Sequence, residues 1–266
     1  MNNIAAAKQA LTITAEGKYE TGGKTVTLPE TDTSAVEVIT PEEGERLIGK
    51  GAEGYKRGII CRISVTNEDS FAAAARYENA LVMNFANAHH AGGGFLLGAN
   101  AQEESLCRCS TLYASINSDK AGEMYRYNNT HLSRTESDYM LISPNVCVFR
   151  KNSGELLEKP FMTGVVTIPA PNRRGAALIA SKKLIEETMT RRIRIMLTAA
   201  AERGYDSLIL GAWGCGAFGN SPEDVAGYFR KVLIDEELGK CFDEVCFAVY
   251  GSEDGKNITA FREAFR

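Results

Sequence analysis

The 266-residue sequence has no uninterrupted apolar run approaching the roughly 20 residues that cross a bilayer, so no membrane-spanning helix is expected. Its opening segment, MNNIAAAKQALTITAEG, lacks a charged stretch followed by a long apolar one, which argues against a secretory leader. There is no lysine or arginine block, and the formal net charge is −4; bulk attraction to DNA or to an anionic membrane is unsupported, although a local basic pocket is compatible with it. The seven cysteines contain no C-x-x-C pair, and an odd, scattered set reads as reduced, mostly buried thiols of a cytoplasmic protein. Cys107 and Cys109 lie about 200° apart around a helix, which argues against shared metal ligation. Only three histidines occur, at positions 89, 90 and 131, with neither H-x-x-x-H nor H-x-H spacing. His89 and His90, adjacent in extended chain, point to opposite sides, so metal catalysis is disfavoured. The absence of G-x-S-x-G removes the serine-hydrolase signature despite Ser105 and Ser110. No internal repeat, low-complexity tract or Pro/Gly/Ser-rich linker divides the chain.

Apolar residues make up 44% and charged residues 24%, the balance of a globular protein that can bury a full core. Residues 1–55 are the less regular part. A short alanine-rich helix (Asn3 to Leu11) precedes YETGGKTVTL, where Gly22-Gly23 between alternating residues predicts a hairpin. VEVIT reads as a strand and PEEGERLIGKG as a helix with Thr40 as N-cap and Pro41 at its first position. This region is expected to be an accessory segment packed on a main domain of residues 56–266. Strand-like IICRISVTN, ALVMNFAN, MLISPNVCVF, GVVTIPAP, SLILGAW and FDEVCFAVYG then alternate with helical patterns. One helical pattern runs from Ala176 to Arg203, with Leu178, Ile185, Met189, Ile193, Met196 and Ala200 on one face, and stops at Gly204. The alternation predicts a three-layer α/β domain around a mixed, mainly buried sheet.

Asn84 to Tyr113 carries the chemistry. An apolar strand runs into Gly92-Gly93-Gly94, which open onto a helix beginning Gln102-Glu103-Glu104. Consecutive glycines allow positive φ and close ligand approach, and their N–H groups can form an anion-binding nest at a helix N-terminus. A mobile surface turn is the alternative. Leu106, Cys109, Tyr113 and Ile116 recur at helical spacing, so the first turn lies at the mouth of the loop. With Asn100 as N-cap, Glu103 falls at N3 and has a capping explanation besides a chemical one. Glu104 is harder to explain structurally. A general acid needs a raised pKa, which a second carboxylate, partial burial and an approaching diphosphate all favour over the opposing helix dipole. Paired carboxylates are a recurring means of breaking a glycosidic bond.

A second glycine loop, Gly211 to Asn220, follows SLIL and precedes a helix capped by Ser221. Gly214, Gly216 and Gly219 spell G-x-G-x-x-G, but the motif sits late, its helix starts only after Pro222, and no acidic residue ends the next strand. A dinucleotide fold is therefore not expected. What is expected is a second phosphate loop, with Phe218 stacking on a ribose or base or else serving as a core residue.

With these residues in view, the sequence resembles the poly(ADP-ribose) glycohydrolases, particularly the compact microbial type built on a macrodomain. That family's signature is three glycines, a short spacer and Gln-Glu-Glu. Here Gly92-Gly93-Gly94, the spacer FLLGANA and Gln102-Glu103-Glu104 match it, Phe85-Ala86-Asn87 matches the FAN segment, and GAWGCGAFGN matches the second ligand loop. The resemblance runs from about Val65 to the C-terminus, and the hairpin-bearing N-terminal part looks like the family's accessory segment. It implies a macrodomain-like fold and hydrolysis of the ribose–ribose link in poly(ADP-ribose), releasing ADP-ribose from chain ends. Glu104 would be the acid/base, while Glu103 and Asn87 would hold the hydroxyls of the cleaved ribose. Gln102, the first glycine loop and the second loop (Gly214, Cys215, Gly216, Ala217, Phe218, Gly219) would bind the rest of the ligand. Adenine would lie near Asn67, Glu68 or Asp69. No metal or redox cofactor, no membrane and no direct DNA contact is implied, and a monomer is expected. Two other functions stay open: a hydrolase of mono-ADP-ribosylated protein or of an ADP-ribose ester, and a non-catalytic ADP-ribose reader. The two glutamates disfavour the reader, because carboxylates near a diphosphate do not help binding. The resemblance assigns His89 and His90 no role.

Overall fold

The computed structural model describes residues 2–57 and 61–266. Helix α1 (Asn3–Glu16) begins where the Asn2 side chain accepts the Ala5 N–H and ends at Gly17, whose φ of 66° suits a left-handed C-cap. It outlasts the expected Leu11 because the next residue able to stop it is that glycine. Strands β1 (Lys18–Thr21) and β2 (Lys24–Thr27) form the expected hairpin, with Gly22 and Gly23 at φ 56° and 72°. Strand β3 (Glu37–Ile39) leads into α2 (Pro41–Lys50), capped by Thr40 with Pro41 at its first position.

Next come β4 (Arg62–Thr66), α3 (Ser70–Ala74), β5 (Ala80–Ala86), α4 (Gln102–Cys109), α5 (Leu112–Ile116) and α6 (Gly122–Thr130). Ile59 and Ile60, expected to open β4, lie outside the described residues. Long strands β6 (Met140–Arg150) and β7 (Leu156–Pro169) precede α7 (Lys182–Glu202), β8 (Ser207–Leu210), α8 (Pro222–Arg230), β9 (Glu244–Ala248) and α9 (Lys256–Ala264).

Two helix expectations need correction. The face running from Leu106 to Ile116 is broken at Ser110, which bridges to Val148 while its hydroxyl bonds the Leu106 carbonyl, so α4 and α5 are separate. The long helix starts at Lys182 rather than Ala176, because Ser181 caps it through Leu184 N–H; Leu178 lies outside it and is exposed.

One mixed sheet, ordered β3-β6-β7-β5-β8-β9-β4, forms the middle layer; β5, β7, β8, β9 and β4 run parallel, and β6 pairs antiparallel with both β3 and β7. Side chains alternate between two cores. Leu81, Met83, Val166 and Leu208 face a core completed by α2, α7, α8 and α9. Val82, Val165 and Ile209 face the other, completed by α1, α3, α4, α5, α6 and the hairpin. The sandwich is therefore three-layered, as the alternation of segments requires.

The N-terminal segment braces the carboxylate helix from behind. Fully buried Arg150 donates to the carbonyls of Ala6 (3.1 Å) and Arg108 (2.5 Å) and to Gln9 Oε1 (2.7 Å), tying α1 to α4 through β6. Asn3 Nδ2 donates to the Gly98 carbonyl, so the spacer before α4 is also held. Each buried carbonyl left without its donor would cost about 1–3 kcal/mol, enough to fix the position of α4. Among the described residues, no helix is long and apolar enough to cross a membrane.

Candidate active site

Parallel strands deliver their following loops to one edge of the sheet, and there a cavity of about 680 Å³ opens. Asp69 and Phe71 (after β4), Phe85 (β5) and Asn87 just beyond it, Glu103 and Glu104 (α4), Gly214 to Phe218 except Cys215 (after β8) and Tyr250 (after β9) are among the residues lining it.

The two carboxylates are held differently. Glu103 is 3% exposed; Asn84 Nδ2 donates to its Oε1 at 3.2 Å and the Asn87 N–H to its Oε2 at 2.8 Å. Burial pushes its carboxyl up from 4.5 to about 8, with Glu104 adding to the rise and the N–H donors opposing it. Glu104, 7% exposed, accepts the Gly94 N–H on Oε1 (2.9 Å) and the Ala101 N–H on Oε2 (3.0 Å). The capping expectation is thus corrected by one residue. Ala101 is the N-cap, so Glu104 stands at N3 and reaches back to the cap N–H; the reciprocal half of a capping box is missing because alanine has no acceptor. Asn100 instead accepts from Arg108.

The triple glycine does different work from the expected bare nest. Gly93 N–H donates to the His90 carbonyl and Gly94 N–H to Glu104, so these donors face the protein. A Cβ on Gly93 would sit 2.6 Å from Glu104 Oε1 and 3.2 Å from Glu103 Oε2, and one on Gly92 2.8 Å from the Tyr113 ring. Glycine is required because the loop lies directly against both acids, and Gly92 and Gly93 have φ of 69° and 54°. Gly92, Gly93 and Gly94 support the carboxylates rather than line the cavity.

Gln102 lines the cavity, yet its amide is engaged by the protein: Oε1 accepts the Phe85 N–H, and Nε2 donates to Met83 O and Ser70 Oγ. It clamps α4 to β5. Asn87 accepts the N–H groups of His89 and His90 on Oδ1, fixing the loop exit. Asn84 is the residue that sequence reasoning passed over. It is fully buried, pairs in register with Thr167 on β7 and bonds both Thr167 Oγ1 and Glu103. A lone asparagine inside ALVMNFA, on the parity that faces α4, was the available signal.

The second loop has donors to offer. Among the described residues, the N–H groups of Gly216, Ala217 and Phe218 find no acceptor, whereas Cys215, Gly219 and Asn220 N–H groups close the loop on itself. Buried Trp213 anchors it through Nε1 to the Ile168 carbonyl, and Asn220 Nδ2 through Pro171 O. Cys215 turns away from the cavity toward Trp213 O, burial pushing its thiol up to about 12. Gly219 also lies off the cavity, against Arg174.

Of the three adenine candidates, Asn67 is closed on Gly251 and Glu68 on Arg76. Asp69 alone lines the cavity; its Oδ1 caps α3, leaving Oδ2 available. His89 bonds Asn129 and Glu136 away from the cavity, and His131 stacks on Tyr127. Among the described residues, no three His, Cys, Asp or Glu side chains group as a metal set.

The Glu103 environment carries a stability consequence. Between about 4.5 and 8 the folded chain holds this proton and the unfolded chain does not, so stability falls as pH rises through that window. Glu103→Gln cannot ionise, and its melting temperature relative to wild type should therefore be higher at pH 9 than at pH 5. Each pH unit of the window is worth about 1.4 kcal/mol. The same difference at both pH values would show that Glu103 titrates normally.

Residues 7–151 match a family model described as microbial-type PARG, catalytic domain. No curated protein matches the chain. Among solved structures, the chain is similar to poly(ADP-ribose) glycohydrolase from Thermomonospora curvata, at 35% identity over 99% of both chains with a TM-score of 0.92. A structure of that enzyme bound to the inhibitor ADP-HPD matches at 35% identity over 99% of both chains with a TM-score of 0.89. The Deinococcus radiodurans enzyme in complex with ADP-ribose is 36% identical, over 91% of this chain and 99% of that one, with a TM-score of 0.82.

Proposed function

Because the chain belongs to the microbial-type poly(ADP-ribose) glycohydrolases, we propose that it hydrolyses the ribose–ribose O-glycosidic bond of poly(ADP-ribose) from chain ends, without a metal, using Glu104 as acid and base. The observation that carries this reading is the pair of adjacent buried carboxylates, Glu103 and Glu104, lining the same cavity as Gly216, Ala217 and Phe218, whose N–H groups have no acceptor among the described residues. A cavity of about 680 Å³ suits one bound ADP-ribose unit, which favours a terminal unit over an internal one.

Adenine lies at the β4 end, where Asp69 Oδ2 accepts from its exocyclic amine. The diphosphate rests on the N–H groups of Gly216, Ala217 and Phe218, with the Phe218 ring packed on the ligand. The distal ribose then reaches β5. Three strand spacings separate β4 from β5, roughly 14 Å, which an extended ADP-ribose spans. There Asn87 and Glu103 hold its hydroxyls, Glu103 in its protonated form acting as a donor at neutral pH. Protonated Glu104 gives its proton to the leaving 2′ oxygen as the anomeric bond breaks. Its carboxylate then takes a proton from the water that attacks the anomeric carbon, and Glu104 is restored. Residues 1–55 act as the accessory segment that keeps α4 in place.

The substrate class is tested by supplying poly(ADP-ribose) and, separately, a mono-ADP-ribosylated protein, each in excess chelator. Free ADP-ribose should appear much faster from the polymer. Release from the mono-modified protein alone would reassign the chain to that hydrolase class, and loss of all activity in chelator would require a metal.

A further inference from the structure

The loop that leaves β7, residues 170–181, borders the cavity yet has no part in the chemistry described. Hydrogen bonds within it and to the second loop hold its shape. Asn172 Oδ1 accepts the Arg174 N–H, Asn172 O accepts the N–H groups of Gly175 and Ala177, and Arg173 N–H donates to Phe218 O. Arg174 lies against Gly219, with its Nε 3.0 Å from where a Cβ on that glycine would be. Neither Arg173 nor Arg174 forms an ion pair with a carboxylate among the described residues, whereas the neighbouring Lys182 is matched by Asp224. Beyond them, Leu178 and Ile179 are 69% and 73% exposed on the same loop. Unmatched guanidinium groups and bare apolar side chains on one loop supply the chemistry that receives a nucleoside diphosphate: charge for the diphosphate, apolar surface for the base.

Position narrows the occupant. This inference rests on the functional reading above, in which the terminal unit runs from adenine at β4 to its distal ribose at β5. The polymer continues from that ribose, and the next strand in the same direction is β7. The β7 exit loop lies on that side and meets the cavity at Ala170, which makes it the surface nearest in strand order for the penultimate unit. We propose that Arg173, Arg174, Leu178 and Ile179 form an acceptor surface for the penultimate ADP-ribose unit, Arg173 and Arg174 engaging its diphosphate. The surface gives the enzyme affinity for polymer that it does not have for free ADP-ribose, and it lets the shortened chain stay bound near the site after each cut.

The test compares wild type with the double variant Arg173→Glu/Arg174→Glu and the single Arg174→Gln on two substrates: poly(ADP-ribose), and an ADP-ribose glycoside whose leaving group is a small aryl alcohol with no phosphate. For the double variant, KM for polymer should rise about tenfold and become less salt-dependent, and for Arg174→Gln about threefold, in keeping with exposed charge contacts. Turnover of the aryl glycoside and calorimetric affinity for ADP-ribose should stay within about twofold. Should the double variant fold poorly, Arg174→Gln, at an exposed position, decides alone. Equal losses on both substrates would move the arginines to the terminal-unit site, and no loss on either would remove the surface altogether; each overturns the proposal. Wild type that cleaves the aryl glycoside but not polymer would refute the polymer reading itself, and this inference with it.

Discussion

Glu104→Gln should lower polymer turnover by about a thousandfold or more, the range that a positioned general acid contributes, while ADP-ribose affinity stays within about tenfold, or 1.4 kcal/mol. Glutamine keeps the shape and one acceptor of the side chain. It can still receive the Gly94 N–H on its oxygen, so the glycine loop retains a partner. Its amide nitrogen then faces the Ala101 N–H, donor against donor, which loosens the first turn without emptying the site. What it cannot do is carry a proton to the leaving oxygen or take one from water. Glu104→Asp separates position from chemistry, since it keeps the acid but withdraws it by a methylene; an intermediate rate is expected. Turnover of polymer measured beside calorimetric binding reads both effects. Equal cleavage by wild type and Glu104→Gln would sink the assignment of the acid, and a collapse of binding with turnover would make Glu104 a binding group.

Gly93→Ala should cost about a hundredfold in kcat with a much smaller change in melting temperature. The added Cβ would lie 2.6 Å from Glu104 Oε1, closer than any real contact, and 3.2 Å from Glu103 Oε2. A free carboxylate would simply rotate away, but both Glu104 oxygens are tied to N–H groups and the side chain is buried. Displacing it by about 1 Å is the scale of error that removes roughly a hundredfold in rate. The left-handed φ of 54° adds about 1–2 kcal/mol of strain for alanine, a stability loss of a few degrees. Steady-state kinetics with a thermal melt separate the two contributions. A variant with normal kcat would show that the loop does not aim the acids, and one that unfolds would show a structural role instead.

The order of strands and helices was legible because it rests on local signals. Thr40-Pro41, Gly22-Gly23 and Ser221-Pro222 mark boundaries through capping and turn chemistry that no distant contact overrides. The misreadings occurred where tertiary contacts decided. Ser110 breaks an apparently continuous helix by pairing with Val148, and Ser181 starts a helix that apolar periodicity alone begins earlier. Within the site, the pattern of glycines followed by Gln-Glu-Glu identified the residues but not their division of labour. Nothing in the spacing says that Gly93 and Gly94 turn their N–H groups inward, that Gln102 is engaged by β5, or that the buried Glu103, rather than Glu104, is fastened to Asn84. Those facts depend on strand register, which pairs Asn84 with Thr167 under α4. The roles exchanged at the capping position follow from a single residue, Ala101 instead of Asn100, at the start of the helix.

The most direct measurement follows free ADP-ribose released from poly(ADP-ribose) by the wild-type chain in excess chelator, with a parallel calorimetric titration against ADP-ribose. Saturable ADP-ribose binding together with steady conversion of polymer to ADP-ribose is the expected result. Saturable binding with the polymer left intact would contradict hydrolysis and leave a protein that reads ADP-ribose without cutting it.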